Sequence, residues 1–216
     1  LDHGHVDVFH VGLTGGKLDL KLKEDVTGSG VIHEPQDVDL QVKDSALVDV
    51  PRQFPGAPRA YVLPMTQNQD LLWPGWDTMS TGKPVDLVVD SVQGPGKVHL
   101  FTTDISGTAV SQLTSGGTAL PGTISVPSPT HVHANWVFTK PGVYTMTVHA
   151  TSSAMRSATK TYTWRVGGDA TAAPSSSASA EPSESPSPSE EPSAPADDET
   201  VTPLPDPSVD PEDTPS

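Results

Sequence analysis

Two stretches of the chain each place a pair of histidines one residue apart: "LDHGHVDV", residues 1–8, and "THVHANWVF", residues 130–138. In an extended strand, residues i and i+2 point the same way with Cβ atoms about 7 Å apart, so each pair presents two imidazoles on one face. Imidazole nitrogen is a ligand for Zn²⁺ and similar ions, and one pair from each strand supplies three or four N and O donors. In the second stretch His131, His133 and Asn135 share one face, while Val132, Ala134, Trp136 and Phe138 read as the core face. In the first, His3, His5 and Asp7 alternate with Val6 and Val8. The candidate metal ligands are therefore His5, His131 and His133, with Asp7 and His3. Nitrogen donors alone favour zinc, and added carboxylate or amide oxygens shift the balance toward manganese. Protonated imidazole does not ligate, so affinity should fall as pH drops through the imidazole range. The plainer reading makes all four histidines ordinary polar residues on exposed strands. His10, His33, His99 and His149 lack such pairing and read as solvated or satisfied strand residues.

A second constellation is "LLWPGWDTM", Leu71 to Met79, where Trp73 and Trp76 flank a Pro-Gly turn and Asp77 follows. An indole near the surface of such a loop is a platform for a sugar ring, or a wall around the metal cleft. The competing reading is a loop anchored by its tryptophans in one end of the fold. Just upstream, "VLPMTQNQ" offers amides, Gln67 among them, that would line the same cleft together with Asn135 and Asp77. For catalysis the residues give little. There is no nucleophile elbow, paired-carboxylate signature or phosphate-cradling loop, and Asp7 is the one obvious general base for a metal-dependent hydrolase. The sequence reads as a binding protein rather than an enzyme.

The elements that must position these residues are strands. "KLDLKLK", Lys17 to Lys23, sets three leucines against charges, and "DVDLQVK", Asp37 to Lys43, repeats the pattern. Such period-2 alternation means half-buried strands. Further strands are predicted at "HVDVFHV", "AYVLP", "VDLVVDSV", "KVHLFTTD", "HVHANWVFT", "GVYTMTVHA" and "TKTYTWRV". Nothing of comparable length has a 3.6-residue period. Many short strands with Gly and Pro between them predict an all-β, antiparallel β-sandwich. "FTKPGVYTMTV", Phe138 to Val148, is similar to the corner of immunoglobulin-like domains where a Tyr hydroxyl ties the turn backbone. A plain hairpin with Tyr144 in the core is the alternative.

The 216 residues divide by composition. From Gly168 to Ser216 there is no aromatic residue, Lys or Arg, against twelve acidic residues and eleven prolines. Such a segment buries too little apolar surface to offset chain entropy, so 168–216 is predicted to be a disordered acidic Pro/Ser-rich linker. Residues 1–167 remain for one β-sandwich binding domain. Most of the net charge of −15 belongs to the tail, since the domain sets fifteen acids against twelve bases. With no basic stripe to neutralise phosphates, nucleic acid is not an expected partner. The absence of cysteine excludes thiolate ligands and thiol catalysis. No apolar run of about 18 residues is present, so this segment is not expected to insert in a membrane. The start at Leu1, with neither Met nor a signal-like stretch, reads as a processed or trimmed chain.

"GHVDV", "GKLDLKLKED", "VLPMTQNQDLLWPGWDT" and "THVHANWVFTKPGVYTMTV" occur in that order from about Gly4 to Val166. In these motifs the chain resembles the actinobacterial surface-anchored repeat domain, also called the choice-of-anchor M domain. The resemblance implies an extracellular domain at the cell surface or cell wall. It also implies an association with metal-type ABC transporters, the domain relaying zinc or manganese to the transporter's substrate-binding protein. On the matching positions it implies His5, His131 and His133 as ligands and Asp7 as the fourth, while His3 departs from the pattern. The Pro/Ser/acidic tail resembles the wall-spanning linker of such proteins. Its "LPDPS", Leu204 to Ser208, begins like a sortase signal but carries Pro and Ser where Thr and Gly are required.

Overall fold

A computed structural model of the protein describes residues 1–168. The linker expected over 168–216 therefore lies, except for Gly168, outside the described residues. In chain order the strands are β1 (Gly4–Thr14), β2 (Lys17–Glu24), β3 (Val31–His33), β4 (Asp39–Val42), β5 (Leu47–Asp49), β6 (Arg59–Leu63), β7 (Leu72–Asp77) and β8 (Val85–Gln93). They continue as β9 (Val98–Thr103), β10 (Ala109–Ser111), β11 (Gly122–Val126), β12 (His131–His133), β13 (Asn135–Phe138), β14 (Gly142–Ser152), β15 (Met155–Arg156) and β16 (Lys160–Val166). The fold class is all-β, as the alternation predicts. Among the described residues no helix is long and apolar enough to cross a membrane.

The strands form three sheets, in the orders β12-β7-β1-β2-β3, β10-β9-β13-β6-β5 and β11-β8-β14-β16-β4. Most pairs are antiparallel, but β1 runs parallel to β7 and β16 parallel to β4, which a purely antiparallel sandwich does not contain. A parallel partner needs a crossover of a dozen or more residues, and the chain between β1 and β7 is long enough to supply it. Most apolar residues of the alternating strands meet in one main core, and Ala60, Phe101 and Val137 form a smaller second cluster. Leu18, Leu20 and Leu22 of β2 are buried in the main core, with Phe9, Trp136, Phe138, Tyr144, Tyr162 and Trp164. Phe9 lies edge-on to Trp136 and Tyr162, and Trp164 packs against Trp136 and Phe138. The Tyr144 hydroxyl donates to the Lys140 carbonyl at 2.7 Å, closing the turn before β14.

Two local readings are corrected. "HVHANWVFT" is not one strand but two, because the chain leaves the first sheet after His133 and enters the second at Asn135, with Ala134 buried between. "LLWPGWD" is not a Pro-Gly turn but strand β7, inside the first sheet. Proline is poorly tolerated inside a sheet because it lacks a donor. Here the pairing of β12 with β7 stops at Gly75, one residue short of Pro74, so the missing N–H faces no partner strand. The neighbouring glycine has a separate role in the site.

Candidate metal centre

The first sheet carries one face into the core and the other outward. Trp76 (2 % exposed), Val6, Val8, Leu20 and Leu22 point inward. On the outward face the strand register builds a row across four strands: His133 on β12 stands opposite Gly75 on β7, Gly75 opposite Asp7 on β1, and Asp7 opposite Lys23 on β2. The adjoining rows pair His5 with Trp73, and His131 with Asp77 and Asp77 with His10. Gly75 sits at the centre of this grid. A Cβ on it would stand 2.3 Å from the Val132 carbonyl oxygen and 2.8 Å from His133 Nδ1. Only a residue without a side chain leaves β12 and the His133 ring room to approach β1.

Across that opening four donors converge. His131 Nε2 lies 3.1 Å from His5 Nε2, 3.1 Å from His133 Nε2 and 2.7 Å from Asp7 Oδ1, and His5 Nε2 lies 3.6 Å from the same carboxylate oxygen. One ligand atom from each of these residues lies within 4.8 Å of all the others. A ring nitrogen offers one proton or one lone pair, so a single hydrogen bond cannot satisfy three polar atoms around His131 Nε2. Asp7 Oδ1 is buried with no hydrogen bond, a costly arrangement for a carboxylate. A cation at the centre resolves both problems. Tetrahedral zinc with bonds of 2.0–2.1 Å has ligand–ligand edges of about 3.3 Å, and the observed separations bracket that value.

His5, His133 and Asp7 are each held by a further contact outside the group. His5 Nδ1 is 2.7 Å from Asp25 Oδ2, and Asp25 Oδ1 accepts the Gly30 N–H at 2.6 Å. With Nδ1–H donated to that carboxylate, the lone pair of His5 is on Nε2, the atom facing the group. The Gly30 N–H, and after it the His5 contact, hold Asp25 below the usual carboxylate range. The His133 ring stacks on Trp73 at 3.7 Å and 11°, and the Trp73 indole donates to the Met65 carbonyl at 2.8 Å. Burial, reinforced by the neighbouring His131 and His5 rings, pushes His133 down to about 4. At neutral pH it is therefore uncharged, the form in which imidazole ligates. Lys23 Nζ donates to Asp7 Oδ2 at 3.2 Å, leaving Oδ1 for the group. The His131 side chain is 41 % exposed and forms the solvent side of the cluster.

His5, Asp7, His131 and His133 are thus brought together with Trp73 as a wall of the cluster, whereas His3, Trp76, Gln67 and Asn135 do not join it. His3 is exposed and bonded to Asp2; Gly4 between it and His5 has φ +80°, which breaks the alternation on which the His3–His5 pair rests. Trp76 is a core residue, so it presents no platform to solvent. Asn135 lies in the second sheet, its Oδ1 accepting the Met65 N–H. Gln67 is exposed between β6 and β7. Asp77 is buried beside the cluster, where its carboxylate accepts from Lys23 and from the Met79 N–H. Of the unpaired histidines, His33, His99 and His149 are satisfied strand residues, bonded to Glu24, Thr118 and Asp90 respectively. His10 differs, for its Nδ1 is buried without a hydrogen bond, 3.3 Å from Asp77 Oδ2.

Sequence reasoning missed Asp25, Gly75 and Lys23. The alternation does put Lys23 on the charged face of β2, but nothing local tells which strand that face meets. No protein-family model, curated protein or solved structure matches the chain.

Proposed function

We propose that the chain is a non-enzymatic metal-binding protein in which His5, Asp7, His131 and His133 hold one divalent transition-metal ion. Three imidazole nitrogens and one carboxylate favour zinc, with manganese second. The observation that carries this reading is the approach of two strands over 120 residues apart in sequence, which leaves the buried Asp7 Oδ1 unbonded among three histidine nitrogens. The finer reading follows the resemblance to surface-anchored domains of metal transport systems. The domain then captures zinc or manganese outside the cell and passes it to an ABC-transporter substrate-binding protein, His131 being the side from which the ion leaves. The Tyr144–Lys140 tie supports an immunoglobulin-like description of the sandwich.

The rival, a glycan-binding module using Trp73 and Trp76, loses its main support. Trp76 is in the core, and one face of Trp73 is taken by His133. Calorimetric titration of Zn²⁺ and Mn²⁺ into the metal-free protein tests the proposal, with His131→Ala/His133→Ala as control. One equivalent of Zn²⁺, lost in the double variant, is expected. A wild-type Kd no tighter than about 10⁻⁴ M, some 5 kcal/mol of binding, sinks the metal reading.

A further inference from the structure

Asp7 divides its two carboxylate oxygens between two places. Oδ1 faces His5 and His131, while Oδ2 accepts from Lys23 Nζ at 3.2 Å. The same ammonium lies 3.1 Å from Asp77 Oδ2, and that oxygen lies 3.3 Å from the unbonded, buried Nδ1 of His10. Asp7, His10 and Asp77 themselves form a second set whose ligand atoms fall within 4.8 Å of one another. Both aspartates are buried. Two donor sets therefore share one carboxylate, the arrangement of sites that hold two metal ions about 3.5–4 Å apart. His10 joins because a bulge in β1 after Asp7 shifts the register by one residue, returning it to the outward face.

The geometry points to Lys23 as a built-in cation that fills the second of two adjacent metal positions and so keeps the centre mononuclear. The inference rests on the proposed metal reading. Lys23 compensates two buried carboxylates that would otherwise repel each other. His10 Nδ1 has no hydrogen bond beside it, and in the tautomer protonated at Nε2 its lone pair is free. Removing the ammonium exposes two carboxylate oxygens and one imidazole nitrogen to a second divalent ion.

The test is stoichiometry. Wild type, Lys23→Ala, Lys23→Arg and Lys23→Ala/Asp77→Asn are loaded with Zn²⁺ and counted by native mass spectrometry and calorimetry, with circular dichroism to check the fold. One ion is expected in wild type and Lys23→Arg, two in Lys23→Ala, and one again in the double variant. A folded Lys23→Ala that still binds a single ion overturns the inference, as does a second equivalent in wild type. If Lys23→Ala does not fold, Lys23→Gln, which keeps a neutral donor for the carboxylates, carries the same count. A wild type that binds no ion refutes the underlying metal reading, an outcome distinct from either of these.

Discussion

His133 Nδ1 lies 2.8 Å from the point where a Cβ on Gly75 would stand. The flank of the site is therefore made of an absent side chain. Gly75→Ala would also place a methyl 2.3 Å from the Val132 carbonyl. The Val132 carbonyl is backbone and cannot yield as a flexible side-chain tip does, and the His133 ring is held by its stack on Trp73, so β12 must move away from β7. The expected result is a fold that survives with a loss of about 1–3 kcal/mol, the usual range for overpacking, and a metal site that does not. Urea unfolding measures the first effect and zinc titration the second. Unchanged zinc affinity in Gly75→Ala would show that the close approach of β12 is not what builds the site.

Asp25 touches no other member of the cluster, yet it sets the tautomer of His5 through the 2.7 Å contact to Nδ1. Outer carboxylates of this kind are typically worth 10–100-fold in metal affinity. Asp25→Asn keeps the shape and can still accept the His5 proton through its amide oxygen, but without the charge. It should weaken zinc binding by roughly 10-fold, and Asp25→Ala by more, toward 100-fold. Equal affinities for wild type and Asp25→Ala would remove this residue from the centre.

Trp73 is the one tryptophan of the four against the cluster, since Trp76, Trp136 and Trp164 are buried in the core. Its stack on His133 makes it a reporter as well as a clamp. Zinc binding should change the protein's tryptophan emission, and Trp73→Leu should abolish that change. The stack is worth about 0.5–1.5 kcal/mol beyond area burial, so the variant should lose roughly 2- to 10-fold in zinc affinity. A zinc-dependent emission change that persists in Trp73→Leu would assign the signal to a core tryptophan and to a wider rearrangement.

Where a signal lay within a few consecutive residues, it could be read from the sequence. The leucines of "KLDLKLK" and the histidines of "THVH" follow from period-2 geometry alone, and both faces are where alternation puts them. Signals that depend on which strand lies next to which could not be read this way. "WPGW" carries strong turn residues, and only the short length of β12 explains how Pro74 is accommodated in a sheet. The break at Ala134 is equally silent, because a buried alanine suits the core face of one strand as well as a crossing between two sheets. Gly4 marks a third limit: its positive φ separates His3 from His5, which a pattern of alternating letters cannot register. Asp25 reaches His5 across a loop, and loop contacts have no period.

The same loop gives the protein a measurable acid response. Glu24 is fully buried at the end of β2, where its carboxylate accepts from the Val26 and Thr27 N–H groups, the Thr27 hydroxyl and His33. Burial alone would raise its pKa, but His33 and then the Thr27 contacts outweigh it and hold the group at about 2, against an ordinary 4.5. A carboxyl with a lowered native pKa stabilises the fold fully above its unfolded value, and that contribution is lost as pH falls toward the native value. The window is therefore pH 4.5 down to about 2. At 1.36 kcal/mol per pKa unit the effect is at most about 3 kcal/mol. Glu24→Gln should be less stable than wild type at pH 6, and the gap should close through this window when urea midpoints are compared. Because Glu24 anchors the loop that carries Asp25 to His5, the variant should also bind zinc more weakly at pH 7. A stability gap that stays constant from pH 6 to pH 2 would show that the Glu24 charge is not what the loop depends on.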